Sequence, residues 1–457
     1  MDETQNKLGT QPVGKLLFSL AVPAIAAQVI NALYNIVDRM YIGRIPETGS
    51  LALAALGVAF PLIMIISAFA ALIGMGGAPR AAIKLGEGDH EGAEKILGNS
   101  FVALVGISVL LTIIFAVTKV PLLMAFGATE NTLGYADRYF SIYLIGTIAV
   151  QIALGLNMFI STQGFAKTSM YTVLIGAVTN IILDPILIFG FKMGVEGAAL
   201  ATIISQFISA IWVLLFLFGK KTGLKIRPKN FKLQKNIILP VLALGISPFI
   251  MQSTESLVQI TLNSGLKAYG GAQADQLVGA MSIIMSSMQF VLMPLMGLTQ
   301  GAQPIMSYNY GSGNLLRVKK TFFLLLGSAL TFSVSLWAVC MFAPQILVKI
   351  FTSDPALLEL GVYGMKIFMA GILLMGAQLA CQQTFIALGQ AKISMFLALL
   401  RKIILLIPLA LVLPHIFGWK GILYAEPVAD ILAVLVTITV FFSFARKLFA
   451  GAEKANI

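Results

Sequence analysis

Stretches without a single Asp, Glu, Lys or Arg recur along the chain. They fall at residues 16–37, 48–79, 96–118, 139–166, 168–183 and 197–219, and again at 237–254, 276–316, 321–348, 367–391, 403–419 and 431–445. A membrane crossing needs about 20 mainly apolar residues. Allowing a charge at the edge of the shorter windows, the pattern predicts twelve spans. Backbone polar groups find no partner in hydrocarbon, so runs of this length must be helices. The fold class that follows is an all-α polytopic membrane protein with short loops and no large domain outside the membrane.

The two sets of six spans repeat each other at a spacing of 225 residues. Pro23 matches Pro248, Gly76 matches Gly301, Pro79 matches Pro304, Gly86 and Gly88 match Gly311 and Gly313, and Phe126 matches Phe351. An even number of spans per repeat makes the second copy enter from the same face as the first. The repeats are therefore parallel, related by an axis along the membrane normal. This divides the chain into a first lobe at 1–219, a basic linker at 220–236 and a second lobe at 237–457, with a substrate site expected between the lobes.

Composition sharpens the class: 58% of residues are hydrophobic and 11% charged, against about 45–50% and 25% for soluble domains. The net charge of +12 comes from 31 Lys and Arg against 19 Asp and Glu, and its placement decides its meaning. With the N-terminus inside, twenty basic residues fall on that side and nine on the other, seven of the twenty lying between Lys220 and Lys235. This is a topology signal, with both termini cytoplasmic and the linker near anionic lipid. It is not a nucleic-acid surface. Positive-inside bias alone explains the linker equally well. Cys340 and Cys381 cannot form a disulfide framework, and His90 and His415 are too far apart in sequence to suggest a metal site. No phosphate-cradling G-x-x-x-x-G-K-[ST] loop occurs, so no ATP site is expected. The run Gly86-Glu87-Gly88-Asp89 reads as a turn between helices. No positioned nucleophile and base mark an enzyme, no cofactor is called for, and a monomer is the expectation.

Ionisable groups inside spans are costly and point to function. Asp38 lies in span 1 and Asp184 in span 5, with Asn180 one turn before Asp184 on the same face. Asp184 lies six residues before Gly190, about 9 Å from the outer end of its span, and Thr202 about 12 Å down span 6. Two carboxylates, an amide and a hydroxyl at matching depth suit a proton or a hard monovalent cation such as Na+. The competing reading pairs Asp38 with Arg39 or Arg44 and has Asp184 serving a broken helix before Pro185. In the second lobe, Glu255 sits in the polar run Gln-Ser-Thr-Glu-Ser, where it meets a cationic substrate or makes structural hydrogen bonds. Met281, Met285 and Met288 form a stripe in span 8, suited either to an adaptable ligand surface or to plain helix packing. Glu426 and Asp430 read as an interfacial or lobe-contact pair. Arg401 and Lys402 either snorkel to the inner interface or line the central cavity.

Leu33-Tyr34-Asn35-Ile36-Val37-Asp38, the end of span 2 from Pro79 through Gly86-Glu87-Gly88-Asp89, and Asn180-Ile-Ile-Leu-Asp184-Pro185-Ile-Leu-Ile-Phe-Gly190 together resemble the multidrug and toxic compound extrusion (MATE) family, of the bacterial DinF-like and MepA-like type. The resemblance covers nearly the whole chain. It implies an inner-membrane antiporter that expels small, mostly cationic organic compounds against an inward flow of H+ or Na+. It also implies that Asp38, Asp184, Asn180 and Thr202 form the ion site, and that Tyr34, Tyr139 and Asn157 contact substrate. The NorM-like branch of the family adds acids on spans 7 and 10. Here Glu255 fits the first, but no acid lies between residues 360 and 391. A flippase for a lipid-linked precursor, on the same architecture, is the rival reading, with Arg401 and Lys402 as its cationic residues.

Overall fold

The computed structural model describes residues 3–352 and 354–454, and the regular structure of those residues is helical. Among the described residues, eleven helices are long and apolar enough to cross a membrane. The pair Glu130–Ile145 and Thr147–Thr162, bent by 58°, supplies the twelfth span. Spans 1 to 3 are Val13–Gly43, Gly49–Gly86 and His90–Ala125; span 4 is the bent pair; spans 5 and 6 are Ala166–Gly190 and Gly194–Phe218. The second lobe follows with Lys235–Tyr269, Gly271–Gly311, Leu315–Phe342, Pro355–Ala387, Ala391–Phe417 and Trp419–Ala450 as spans 7 to 12.

The helices extend beyond the charge-free windows because charges at their ends find partners. Span 4 starts at Glu130 and not at 139, since Asp137 pairs with Lys119 of span 3 at 2.6 Å and Arg138 with Glu196 of span 6 at 3.5 Å. Side chains also fix where helices start. Asp89 accepts from the Gly92 amide at 2.8 Å, Asn314 from that of Arg317 at 3.2 Å, and Asp354 from that of Ala356 at 2.8 Å, each satisfying an otherwise orphaned N–H. Gly86-Glu87-Gly88-Asp89 is the turn that its composition implies. Gly88 has φ +79°, and Gly313 at the repeat spacing has φ +74°.

The two lobes share one apolar core at the end carrying the termini. Leu16 and Leu20 of span 1, Ile73 of span 2, Val241 of span 7, Ala302 of span 8 and Phe385 of span 10 belong to a single buried cluster. Toward the opposite end the core divides in two, one cluster per lobe. The molecule is therefore a V, closed at one end. The glycines that repeat in the sequence form its seam. A Cβ on Gly76 would stand 2.1 Å from the Val241 carbonyl oxygen, and one on Gly301 2.5 Å from Ala21 Cα. The Phe69 and Phe249 rings meet across the seam at 4.9 Å, and Gln28 donates to Gln300 at 3.2 Å.

Two further devices tie the closed end together. The segment before span 1 is clamped to the second lobe: Arg317 donates to the carbonyls of Leu8 and Gln11 at 3.0 and 2.8 Å, and Asn309 donates to Leu8 at 3.0 Å. The interlobe linker lies on the first lobe as a strap whose alternate residues Thr222, Leu224 and Ile226 turn inward and are buried. Gln163 accepts from the Thr222 hydroxyl and the Leu224 amide at 3.0 and 2.8 Å, and Glu94 pairs with Arg227 at 2.6 Å.

Candidate functional site

Pro185 interrupts span 5 because it carries no N–H to donate. Beyond it the helix widens into a π turn over Ile186–Gly190, with the Phe191 amide donating to the Ile186 carbonyl at 2.9 Å. Such turns break the regular ladder and concentrate at functional positions. Asp184 stands immediately before this one and is fully buried.

Around Asp184 the structure brings together the residues singled out in the sequence. Asn180 donates from its amide nitrogen toward Asp184 Oδ1 and Thr202 Oγ1, each at 3.4 Å, tying span 5 to span 6. Asp38 of span 1 is 7% exposed, and its carboxyl group reaches that of Asp184. Tyr139 of span 4 contacts the Thr202 hydroxyl, and Tyr34 and Tyr143 close the enclosure. Asp38 forms no ion pair with arginine among the described residues: Arg39, although near enough for its charge to act on Asp38, lies over the Phe60 ring at 5.1 Å. Three buried oxygens, Asp38 Oδ1, Asn180 Oδ1 and Asp184 Oδ2, have no hydrogen-bond donor among the described residues. Two carboxylates side by side in a buried enclosure need a positive charge between them, a proton or a metal cation. Oxygen ligands suit a hard ion.

A cavity of about 160 Å³ opens next to this cluster, toward the closed end. Tyr34 and Asn157 line it with Gln28, Asn31, Ser205 and Gln206 of the first lobe, and Gln300 and Gln303 of the second reach it across the seam. Asn157 is held in place by the Thr172 hydroxyl at 2.9 Å and by its own bond to the Ser169 carbonyl at 3.2 Å. The sequence reading missed Gln28, Asn31 and Tyr143. The signal was present, because Gln28, Asn31, Tyr34 and Asp38 recur at helical spacing on one stripe, and Tyr143 lies one turn beyond Tyr139.

Nearly the whole chain matches known proteins along these same elements. The MatE family model matches twice, at residues 23–186 and 249–412. The chain belongs to the MatE family. Its relatives include the multidrug export protein MepA of Staphylococcus haemolyticus, 27% identical over 448 residues that cover 97% of this chain and 96% of MepA. A solved structure of the MATE multidrug transporter DinF-BH, determined as a complex, is 37% identical, with a TM-score of 0.89 over 96% of this chain and 98% of that one. A MATE transporter in an outward-facing conformation superposes with a TM-score of 0.90 at 22% identity, over 97% and 98% of the two chains, and shares the fold. As a MatE protein with twelve apolar spans in two parallel lobes, the chain is an integral membrane transporter.

Side-chain contacts decide among the second-lobe readings and correct those of Arg401 and of the Glu426 and Asp430 pair. Met281 is 1% exposed within the second-lobe core, and Met285 and Met288 pack against it; the stripe is helix packing, because its face turns into the lobe and away from the cleft. Glu255, read as a contact for cationic substrate or a structural hydrogen-bonding group, forms an ion pair with Lys402. Arg401 neither snorkels nor lines the cavity. It is buried between Glu426 and Asp430 at 3.0 and 2.7 Å, so those two acids form an internal triad and not an interfacial pair. A second π turn, Leu400–Leu406, carries both basic residues. It helps to aim Arg401 at span 12 and Lys402 at span 7.

Proposed function

We propose that this transporter exports small organic, mostly cationic amphipathic compounds in exchange for inward-moving H+ or Na+, across a bacterial inner membrane with both termini cytoplasmic. The observation that carries the reading is the set of three donor-free buried oxygens on Asp38, Asn180 and Asp184, bordering a cavity lined by both lobes. In that orientation the closed end faces the cytoplasm, and the conformation is open to the outside. A proton or sodium ion entering from outside neutralises the Asp38–Asp184 pair and changes how span 1 packs on spans 5 and 6. That weakens the hold on substrate in the adjoining cavity, and return to the inward-open state releases the ion. Coupling requires that ion and substrate bind the two conformations with different affinity.

The names of its relatives support a multidrug substrate range, and the amide- and hydroxyl-lined cavity fits ligands of varied shape. Less supports the flippase reading, because Arg401 and Lys402 both pair with acids of the second lobe. The test is uptake of a fluorescent organic cation into sealed proteoliposomes with proton and sodium gradients imposed separately. Accumulation under one gradient supports the exchange, and accumulation under neither refutes it.

A further inference from the structure

Arg401 and Lys402 are adjacent in sequence but differently held. Arg401 has two carboxylates and is locked by them. Lys402, 8% exposed, has Glu255, whose side chain is 49% exposed, as its one ion-pair partner among the described residues. Glu255 lies six residues beyond Phe249 on span 7, about 9 Å along the helix past the Phe69–Phe249 contact of the seam, toward the end where the lobes part. A half-exposed carboxylate in a span belongs on a water-filled cavity and not on lipid. Gln252, Ser253 and Ser256 beside it are also partly exposed. Lysine is a compact cation on a flexible stem, with rotatable donors and no fixed fork. It can leave its partner in a way that the doubly held Arg401 cannot.

Resting on the export reading above, we propose that Lys402 is a tethered competitor for cationic substrates at Glu255. Its ammonium occupies the carboxylate when the cleft is empty and withdraws when the positive centre of a ligand takes its place. Cations that match or better the lysine contact gain a hold on the second lobe; weaker ones do not. Neutral compounds do not sense the exchange. Lys402 thereby sets a threshold for charge recognition on the lobe opposite Asp38 and Asp184.

The test is equilibrium binding to the full-length purified chain in lipid nanodiscs, with ethidium as the cation and a neutral aromatic compound of similar size as control. Lys402→Gln is expected to tighten ethidium binding by about fivefold and to leave the neutral compound unchanged. Glu255→Gln weakens ethidium binding, and adding Lys402→Gln to it restores nothing. Unchanged or weaker ethidium binding by Lys402→Gln, or equal tightening of both compounds, overturns the proposal. Should Lys402→Gln fail to fold, Lys402→Arg decides the matter: a charge with a bidentate fork binds Glu255 at least as well, so tighter ethidium binding by that variant overturns the competition. No gradient enters this measurement. Failed efflux with intact Lys402-dependent binding therefore refutes the export reading alone, whereas no ethidium binding by the parent chain refutes both.

Discussion

Gly245 of span 7 meets Leu72 of span 2 so closely that a Cβ on the glycine would stand 1.7 Å from the leucine carbonyl oxygen. Backbone against backbone at this distance admits no side chain, and a packed seam does not deform smoothly to make room. Gly245→Ala is expected to force the closed end apart, favouring the conformation open at the termini and reducing transport. A thiol-reactive probe checks this on Ala302→Cys, fully buried in the parent within the core that both lobes share: labelling should accelerate when Gly245→Ala is added. Equal labelling rates would show that the seam absorbs the methyl group.

Asp38→Asn and Asp184→Asn each remove one charge from the buried pair while keeping its shape. Gradient-driven efflux is expected to fall at least about tenfold in both, with expression and thermal stability retained, because the amide relieves like-charge crowding. Proteoliposome transport provides the measurement. Normal efflux by both variants would remove the cluster from the coupling step.

The Arg401 triad is structural in its consequence. Arg401→Ala leaves Glu426 and Asp430 buried without a counter-charge, a change that costs about 3–5 kcal/mol. The expected result is a large fall in unfolding temperature. The triple variant Arg401→Met, Glu426→Gln, Asp430→Asn should recover much of it, because no buried charge remains. Gly371 bears on the same point, since a Cβ there would lie 2.9 Å from Asp430 Oδ2.

At the turn before span 3, the Gly92 amide, followed by Lys84 at 3.2 Å, holds the Asp89 carboxyl below its ordinary value. The ionised form is thus favoured in the folded state. Its contribution is present above the ordinary carboxylate range and lost as pH falls through the lowered folded value. Asp89→Ala should lower the unfolding temperature at pH 7, Asp89→Asn much less because asparagine also caps. The gap between parent and Asp89→Ala should narrow below about pH 4. A gap that does not vary with pH would show that the cap does not depend on charge.

Much of this protein could be read in its sequence because a membrane imposes a simple rule. Apolar runs of sufficient length must be helices, so twelve spans and two parallel repeats followed from residue type and spacing, as did the grouping of Asp38, Asn180, Asp184 and Thr202; the Gln28 and Asn31 side chains beside that group did not. The repeated glycines could be seen as a pattern, but their role as the seam between lobes depends on which backbones touch. The second lobe was read less well for the same reason. Whether Glu255, Met281, Arg401 and Lys402 face cleft, core or lipid is set by helix rotation and by a π turn whose local register charge patterns do not encode. Residue chemistry determined the number of spans and their division into two repeats. Tertiary packing alone decided which charges were neutralised from within and which buried oxygens were left with no donor.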